Sequence, residues 1–467
     1  MQHILEIDEI KKYDLVVCGG GFTGVACAYY AAKSGLSVAL VESRGALGGV
    51  GTTCNVPFLL GGIDYEKDSA KYRFVVGGLF KKLYYDLRKS DDCVNVYDID
   101  RERNPHAWFS GLANAIIYNV EKMKILLDSY IKEQNIDLMY FTKVIDVKRT
   151  DRIVDYVVCA NKSGNIVLEA SCFADCTGDG DIAALAGCDY VLGRDEDSLM
   201  APASLIMTVD NVDTEKYLDC IVKNNSPRFR KKIEDLRQKG IWNFPYDILI
   251  SAELKRKRLH MINTIRQVGI DGTNNDDLTE GMIQGRKENI ELFKILKEHF
   301  DGFENAEIES VSEMIGIRET RRIIGDITLT LSDLFEGKKY TDIISLSSYS
   351  FDLPDPKKPS YQPLHGDKRV IKNNYTEIPY RCLIPKGINN LICPGRSISV
   401  ERDVLGPIRV MGPCIGMGQA AGLASSILIS CSEKNYRKVD ESELQNLLRK
   451  NDCIIDSDDI CIIEETI

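Results

Sequence analysis

Histidine and tryptophan are scarce in this chain, with five histidines and two tryptophans among 467 residues. Few candidates therefore exist for a proton-transferring imidazole, the side chain whose ordinary pKa lies nearest neutral pH. C-x-x-C pairs are lacking as well, so neither a zinc site nor a thioredoxin-like redox pair is indicated, and we predict no metal. The fifteen cysteines are scattered, many of them in apolar segments. That pattern is typical of reduced, buried thiols in a cytoplasmic protein.

Positive charge is also in short supply. Lysine and arginine total 59 against 70 aspartates and glutamates, which gives a net charge of −11. A chain of this kind without a clustered basic stripe is a poor nucleic-acid binder, so we expect no nucleic-acid partner. The first residues include acids and lack the apolar run of a signal peptide. The length predicts two or three domains.

Long apolar runs are limited to one. Residues 410–431 carry no charge over 22 positions and contain two small-xxx-small pairs. Length and spacing fit a transmembrane helix. However, Pro413 and Gln419 interrupt the segment, it is rich in Gly, Ala and Ser, and no second such segment exists. We therefore predict a buried helix of a protein without a membrane partner.

The most specific pattern is a short strand that runs into a glycine turn. Gly19, Gly21 and Gly24 fill the G-x-G-x-x-G spacing, and Glu42 ends the next strand-like run, 18 residues after Gly24. The first glycine permits a tight turn, the second lets backbone approach a pyrophosphate, and the third brings the following helix close to the strand. A terminal carboxylate can accept hydrogen bonds from an adenosine ribose. The combination predicts a dinucleotide site, for either NAD or FAD.

Two later segments favour FAD. Residues 177–181, Thr-Gly-Asp-Gly-Asp, stand where a strand gives way to a helix. Glycines there let backbone lie against a ribityl-phosphate chain, although Asp179 or Asp181 could equally be the N-cap of an ordinary helix. In the second segment, Gly395 and Arg396 precede a helix predicted to start near Pro413. Its free amide groups would face an anion such as the reduced flavin ring.

Six motifs in order carry a resemblance to a known family: GGGFTG, ESRGALGG, DCTGDGD, IGIRETRRIIG, IPYRCLIPKGINNLICPGRSIS and IRVMGPCIGMGQAAGLA. The chain resembles the FAD-dependent oxidoreductase family, which is distantly similar to fumarate-reductase-type and GidA-type flavoproteins. The resemblance implies FAD and an α/β fold. That fold is a Rossmann-like FAD-binding domain with a β-meander (strands near 139–148, 153–160 and 165–173) and an inserted α+β substrate domain.

The predicted boundaries follow from this fold. Residues 1–200 form the first part of the FAD-binding domain, 201–385 the substrate domain, 386–435 the second part of the FAD-binding domain, and 436–467 an acidic helical tail. The resemblance also implies a set of cofactor-binding positions: Gly19, Gly21 and Gly24 at the pyrophosphate, Glu42 and Arg44 at the adenosine end, Gly48, Gly49 and Thr53 beside the isoalloxazine, Val144 at adenine, and Thr177, Gly178, Asp179, Gly395 and Arg396.

Candidate catalytic residues are few. His365 lies in a loop that leads back to the nucleotide domain and could act as a general base, or be a solvated loop histidine. Arg318 could bind a substrate carboxylate or stabilise reduced flavin, or belong to a structural network with Glu319. Cys54 stands where the family often has glycine; it could be a redox partner, a covalent flavin link or an inert side chain.

The sequence therefore predicts a cytoplasmic FAD-dependent oxidoreductase that transfers a hydride between a small polar organic substrate and flavin N5. Two alternatives stay open: fumarate-reductase-like reduction of an unsaturated acid, and a flavin-binding subunit for electron relay or RNA modification. The expected partner is a small-molecule substrate. The electron acceptor and a homo-oligomeric state are left open.

Overall fold

The computed structural model describes residues 6–99, 114–224, 228–364, 371 and 374–466. The strands, in chain order, are β1 (Glu9–Cys18), β2 (Val38–Val41), β3 (Phe58–Leu59), β4 (Ile63–Glu66), β5 (Lys71–Phe74), β6 (Ile116–Ile117), β7 (Asp137–Met139), β8 (Lys143–Thr150), β9 (Ile153–Asn161), β10 (Gly164–Asp175), β11 (Tyr190–Leu192), β12 (Met207–Asp210), β13 (Ser251–Glu253), β14 (His260–Ile262), β15 (Glu307–Val311), β16 (Arg321–Ile323), β17 (Ile343–Ser347), β18 (Thr376–Pro379), β19 (Leu391–Ile392) and β20 (Cys461–Ile462).

The α-helices are α1 (Phe22–Lys33), α2 (Leu79–Lys89), α3 (Val120–Glu133), α4 (Asp181–Leu185), α5 (Thr214–Asn224), α6 (Arg230–Gln238), α7 (Asn275–His299), α8 (Leu331–Glu336), α9 (Leu405–Ile408), α10 (Met411–Ser430) and α11 (Glu441–Lys450). Short 3-10 turns lie at Gly49–Gly51, Val96–Asp98, Tyr380–Leu383, Arg402–Val404, Tyr436–Lys438 and Ser457–Asp459.

The main sheet has the strand order β7-β2-β1-β10-β9-β8, and β19 also pairs with β10. Strands β7, β2, β1, β10 and β19 are mutually parallel, whereas β8, β9 and β10 form the antiparallel meander that the sequence predicts. Cys18 at the end of β1 lies opposite Val41 on one side and Asp175 on the other. The segments that follow β1, β2 and β10 therefore leave the sheet at one edge, where ligands of open α/β sheets bind.

Helices α1 and α10 pack closely against each other on one face of this sheet. The contact is close because α10 presents glycines: a Cβ at Gly418 would lie 2.2 Å from the carbonyl oxygen of Thr23, and one at Gly422 2.3 Å from that of Cys27. Helix α10 is long and apolar enough to cross a membrane, but 89% of its most apolar window is buried inside the protein. The predicted buried helix is thus a core helix of this fold.

The segment predicted as the substrate domain contributes to two cores. Residues 207–311 contain a four-stranded antiparallel sheet, β13-β14-β12-β15, with a separate core around Trp242, Tyr246 and Leu292. Strands β17 and β18, by contrast, share a core with α1 and α10. The acidic C-terminal segment is anchored to the nucleotide-binding part, because α11 packs on α10 and β20 pairs with β5.

Candidate cofactor and substrate site

A cavity of about 560 Å³ runs from the carboxyl edge of the main sheet to the four-stranded sheet β13-β14-β12-β15. This second sheet belongs to the segment predicted as the substrate domain, which we call the inserted part. One end is lined by the glycine turn after β1 and by residues after β2 and β10. The other end is lined by side chains from the inserted part and from the chain just before α10. A single cavity therefore joins the predicted cofactor groove to a second chamber. We call this second chamber the arginine chamber. It is lined by Ile206, Arg228, Ile248, Ile250, Met261, Asn263, Arg266, Arg318, Tyr349, Asp352, Gln362 and Arg409.

The three glycines of the turn have three different surroundings. Gly19 has φ of 106°, and a Cβ there would lie 2.4 Å from the carbonyl oxygen of Cys176. Gly24 touches the turn itself, since its Cβ would lie 1.8 Å from the carbonyl oxygen of Gly19. Gly21 has ordinary extended backbone and no atom within 4 Å of the position of a Cβ. The turn therefore leaves an open cradle at Gly21.

The cradle lies at the N-terminus of α1. Gly21 is the N-cap and supplies no side chain to the first N–H groups of the helix, which have no intrahelical acceptors of their own. Such N–H groups and the positive end of the helix dipole favour a phosphate. Room for backbone approach and unpaired donors thus occur together at this point.

Glu42 is held firmly beside the turn. Its carboxylate accepts hydrogen bonds from the backbone N–H of Gly20 at 2.7 Å and of Arg44 at 2.8 Å, and its side chain is 9% exposed. The same residue lines the cavity, as does Arg44. Two backbone donors thus fix the carboxylate, as a group that accepts the hydroxyls of a ribose would require.

The segment after β10 is organised by a buried carboxylate. Asp175 accepts hydrogen bonds from the Thr177 hydroxyl at 2.7 Å and the Ala183 N–H at 2.9 Å. Burial raises the pKa of Asp175 to about 6, although these hydrogen bonds act in the opposite direction. The N-cap of α4 is Gly180, and the Asp181 N–H donates to the Thr177 hydroxyl at 3.1 Å. Neither Asp179 nor Asp181 is therefore the N-cap of this helix.

Asp179 pairs with Arg396, which brings together the segment at 177–181 and the segment that contains Gly395 and Arg396. Arg396 Nη2 lies 2.5 Å from Asp179 Oδ1, and Arg396 Nη1 donates to the Thr320 hydroxyl at 2.9 Å. Gly178 lies directly beside this guanidinium. Both members of the pair line the cavity, so the segments separated by more than 200 residues in sequence form one wall.

Most predicted cofactor positions share this cavity: Gly19, Gly21, Glu42, Arg44, Gly48, Gly49, Thr53, Val144, Thr177, Gly178, Asp179 and Arg396. Gly24 and Gly395 lie behind the wall, where Gly24 supports the turn and Gly395 lies against Thr23. Their contribution to a cofactor site would be through packing.

The three predicted catalytic residues have different positions. Arg318 lines the cavity. Cys54 is buried outside the lining residues, its thiol 3.8 Å from the carbonyl oxygen of Ile315. Burial raises the pKa of Cys54 to about 12, which keeps the thiol protonated and favours the inert side chain among the alternatives considered above. His365 lies outside the described residues.

The arginines of the motif at 318–322 have different roles: one lines the cavity and the others form ion pairs within the protein. Arg322 and Arg402 both bind the buried carboxylate of Glu319, each at 2.8 Å. Arg321 pairs with Asp181 at 2.7 Å. The structural network expected around Glu319 is therefore present, but it contains Arg322, whereas Arg318 donates to the carbonyl oxygen of Pro202 at 2.5 Å.

Several cavity residues were missed by the sequence reasoning: Arg228, Arg266, Tyr349, Asp352 and Arg409. Tyr349 donates to Asp352 Oδ2 at 3.0 Å, and Arg409 donates to the Asp352 backbone carbonyl at 2.7 Å. These residues come from segments about 180 positions apart and belong to no local pattern. The exception is Arg409, which stands within the motif IRVMGPCIGMGQAAGLA but was given no role of its own.

The geometry fits a dinucleotide that extends across the sheet edge. The open cradle at Gly21 and the helix N-terminus would hold a pyrophosphate, Glu42 a ribose, and the wall of Gly178, Asp179 and Arg396 the flavin half. An edge of this kind beside a β-meander defines the class of FAD-binding α/β proteins.

The chain belongs to the FAD dependent oxidoreductase family, whose model matches residues 14–448. It is therefore an FAD-dependent oxidoreductase, and FAD is its cofactor. No curated protein matches the chain in sequence.

The solved structures that match the chain are distant from it in sequence. A geranylgeranyl bacteriochlorophyll reductase-like protein from Thermoplasma acidophilum has 11% identity and a TM-score of 0.44, with 94% of this chain and 84% of that chain covered. The p-nitrophenol 4-monooxygenase PnpA from Pseudomonas putida has 12% identity and a TM-score of 0.45, with 95% and 81% covered. The flavin-dependent monooxygenase PieE, in complex with FAD and substrate, has 10% identity and a TM-score of 0.47, with 91% and 59% covered.

Proposed function

We propose that this oxidoreductase transfers a hydride between a small polar organic substrate and flavin N5. The observation that carries the proposal is the single cavity that joins the dinucleotide groove to a chamber lined by polar side chains of the inserted part. A chamber with convergent polar groups is typical of an enzyme site for a small molecule. An electron-relay subunit would instead need an exposed flavin edge for its partner.

FAD would accept or donate two electrons. The chain's own residues would orient the substrate and hold or transfer a proton. Tyr349 and Asp352 form a hydrogen-bonded pair at the chamber wall. Burial, and the neighbouring charge of Asp352, raise the pKa of Tyr349 well above its ordinary value, so its hydroxyl keeps its proton. Arg318 places a guanidinium in the same chamber, where burial and repulsion from Arg266 and Arg409 lower its pKa below the ordinary value.

The test is anaerobic reduction of the purified holoenzyme by a panel of hydroxy acids, amines and sugars, followed by loss of the flavin's visible absorbance. We expect one class of substrate to bleach the flavin. Failure of every class, with bleaching only by a protein reductant, would contradict the proposal and favour the relay subunit.

The residue assignments have their own test. Arg318→Ala and His365→Ala should slow flavin reduction more than they lower stability, since Arg318 would supply charge and His365 proton transfer in the transition state. A general base such as His365 would typically contribute about 100- to 10,000-fold. Stopped-flow reduction rates, compared with unfolding midpoints, distinguish the two effects. Wild-type reduction rates in both variants would remove these residues from the site.

A further inference from the structure

Positive charge accumulates at the inner end of the cavity. The arginine chamber contains four guanidinium groups, those of Arg228, Arg266, Arg318 and Arg409, and the one carboxylate among the residues that define it is that of Asp352. The guanidiniums therefore outnumber the carboxylate among these residues. The other acidic groups that line the cavity lie at the cofactor end.

Asp352 has little capacity left to neutralise this excess. Its Oδ2 accepts the Tyr349 hydroxyl at 3.0 Å and lies 3.5 Å from Arg409 Nη2, while its Oδ1 accepts a hydrogen bond from Gln362. Burial raises the pKa of Asp352, but the attraction of Arg409, Arg266 and Arg318 outweighs this and holds it below its ordinary value. The carboxylate is thus ionised and already shared.

Arg266 is deeply buried in the arginine chamber. Its side chain belongs to a residue that is 6% exposed, and its Nε is buried without a hydrogen-bond partner among the described residues. The Nε of Arg409 is in the same situation. Burial lowers the pKa of Arg266 to about 10 in spite of Asp352, and repulsion from Arg409 acts in the same direction. A buried polar group without a hydrogen-bond partner is costly, so the Nε–H groups of Arg266 and Arg409 are two buried donors that a bound acceptor would satisfy.

The remaining walls of the arginine chamber suit a carbon skeleton. Ile206, Ile248, Ile250 and Met261 form an apolar side. Asn263 adds a buried side-chain oxygen without a partner among the described residues. Guanidinium forks match the two oxygens of a carboxylate, and methyl groups match the carbon chain that bears it.

We propose that the arginine chamber binds the carboxylate of a small organic acid, which Arg266, Arg318 and Arg409 hold by charge-assisted hydrogen bonds. This inference rests on the proposed function for the use of the chamber as a substrate site and narrows that substrate to an acid. It differs from a role of the arginines toward the flavin or toward phosphate, and the experiment separates these cases.

The experiment measures binding to the FAD-loaded protein, independently of turnover. Equilibrium dialysis and the thermal unfolding midpoint are recorded with succinate, acetate, inorganic phosphate and succinamide, the neutral isostere of succinate. We expect succinate to bind and to raise the midpoint, acetate to do so more weakly, and succinamide to have no effect. Equal effects of succinamide and succinate, binding of phosphate alone, or no effect of either carboxylate would overturn the proposal.

Variants locate the site. Arg266→Gln and Arg318→Gln should each weaken succinate binding at least about tenfold, with FAD content unchanged. Arg286→Gln is the matched control, because Arg286 is an exposed arginine on α7 that does not line the cavity. If one chamber variant does not fold, the other decides. Unchanged succinate affinity in a folded chamber variant, or loss of FAD together with succinate binding, would contradict the proposal.

The outcomes separate this inference from the proposed function. Succinate binding that depends on Arg266, without flavin reduction by any acid, would leave the chamber assignment intact and count against hydride transfer. Flavin reduction by an uncharged sugar or alcohol, with no effect of carboxylates, would support hydride transfer. The same result would refute the proposal that the chamber binds an organic acid.

Discussion

At the scale of single residues, the glycines of the turn act through different physical effects. Gly24 is required by packing, since any side chain would meet the carbonyl of Gly19. Gly21 is in extended backbone that other residues adopt, and open space lies where its side chain would be. We therefore expect this glycine to be needed for the ligand rather than for the fold.

We expect Gly21→Val to fold normally and to lose FAD. A Cβ at position 21 has no protein atom within 4 Å, so the valine side chain would occupy the cradle at the N-terminus of α1. The ratio of visible flavin absorbance to protein absorbance should fall to near zero, while the unfolding midpoint of the protein without FAD should match that of the wild type.

Gly24→Val is the contrasting variant, and we expect it to be strongly destabilised with or without FAD. Stoichiometric FAD in purified Gly21→Val would contradict the assignment of the cradle as the pyrophosphate site. An unfolded Gly21→Val would show that open space at this position does not make a side chain tolerable for folding.

Cys54 gives a second prediction at this scale. Because its thiol is buried and protonated, Cys54→Ala should remove a small packing contribution, on the order of 1 kcal/mol, and leave the chemistry unchanged. FAD should remain extractable with acid from both proteins. A loss of flavin reduction rate in Cys54→Ala, with Arg318→Ala still active, would favour the thiol instead.

At the scale of elements, α10 is defined by its contact with α1. The glycines of α10 let the two backbones approach, and the absence of charge follows from burial on nearly all sides. The same composition would suit a membrane, but here neighbouring elements cover the apolar surface. We therefore expect expression without detergent to yield dissolved protein, and recovery in the membrane fraction alone would refute this.

The close contact can be tested by Gly422→Ala. A methyl group there would lie 2.3 Å from the carbonyl oxygen of Cys27, so the helices must separate. Overpacking of this kind costs about 1–3 kcal/mol. Urea unfolding should show the loss. Ser426→Ala, on the partly exposed side of the same helix, should change stability by less than about 0.5 kcal/mol. Equal stability of the two variants would contradict the role of the glycine.

At the scale of the whole molecule, the groove is assembled from segments that are far apart in sequence. Residues after β1, β2 and β10, the wall at Arg396 and the start of α10 all line one cavity. FAD bound there would contact each of these segments at once. The folded state alone has this arrangement, so the cofactor should stabilise the fold by mass action.

Removal of FAD should therefore lower the unfolding midpoint. At a free FAD concentration 100 times the Kd, the stabilisation is about 2.7 kcal/mol. Calorimetry of the holoprotein, of the deflavinated protein and of the reconstituted protein measures it, and Gly21→Val should show no response to added FAD. Equal midpoints with and without FAD would contradict this picture of the groove.

The sequence by itself determined the nucleotide-binding half of this protein. The strand, glycine turn, helix and Glu42 form a local pattern, and each motif lies at the end of an element whose partners follow from the α/β fold; the fold class and FAD are confirmed. The core position of α10 was predictable from its interruptions. Within the site, the sequence predicted only features formed by residues close together in the chain, such as the glycine cradle.

The arginine chamber was decided by tertiary structure alone. Arg266 and Asp352 stand singly in segments without a pattern, and charge excess is a property of a place rather than of a segment. Likewise, only the fold shows that Arg322 binds the buried Glu319 while Arg318 faces the cavity, although both lie in one motif. Side-chain direction depends on strand pairing and on contacts more than 100 residues away, which local sequence does not encode.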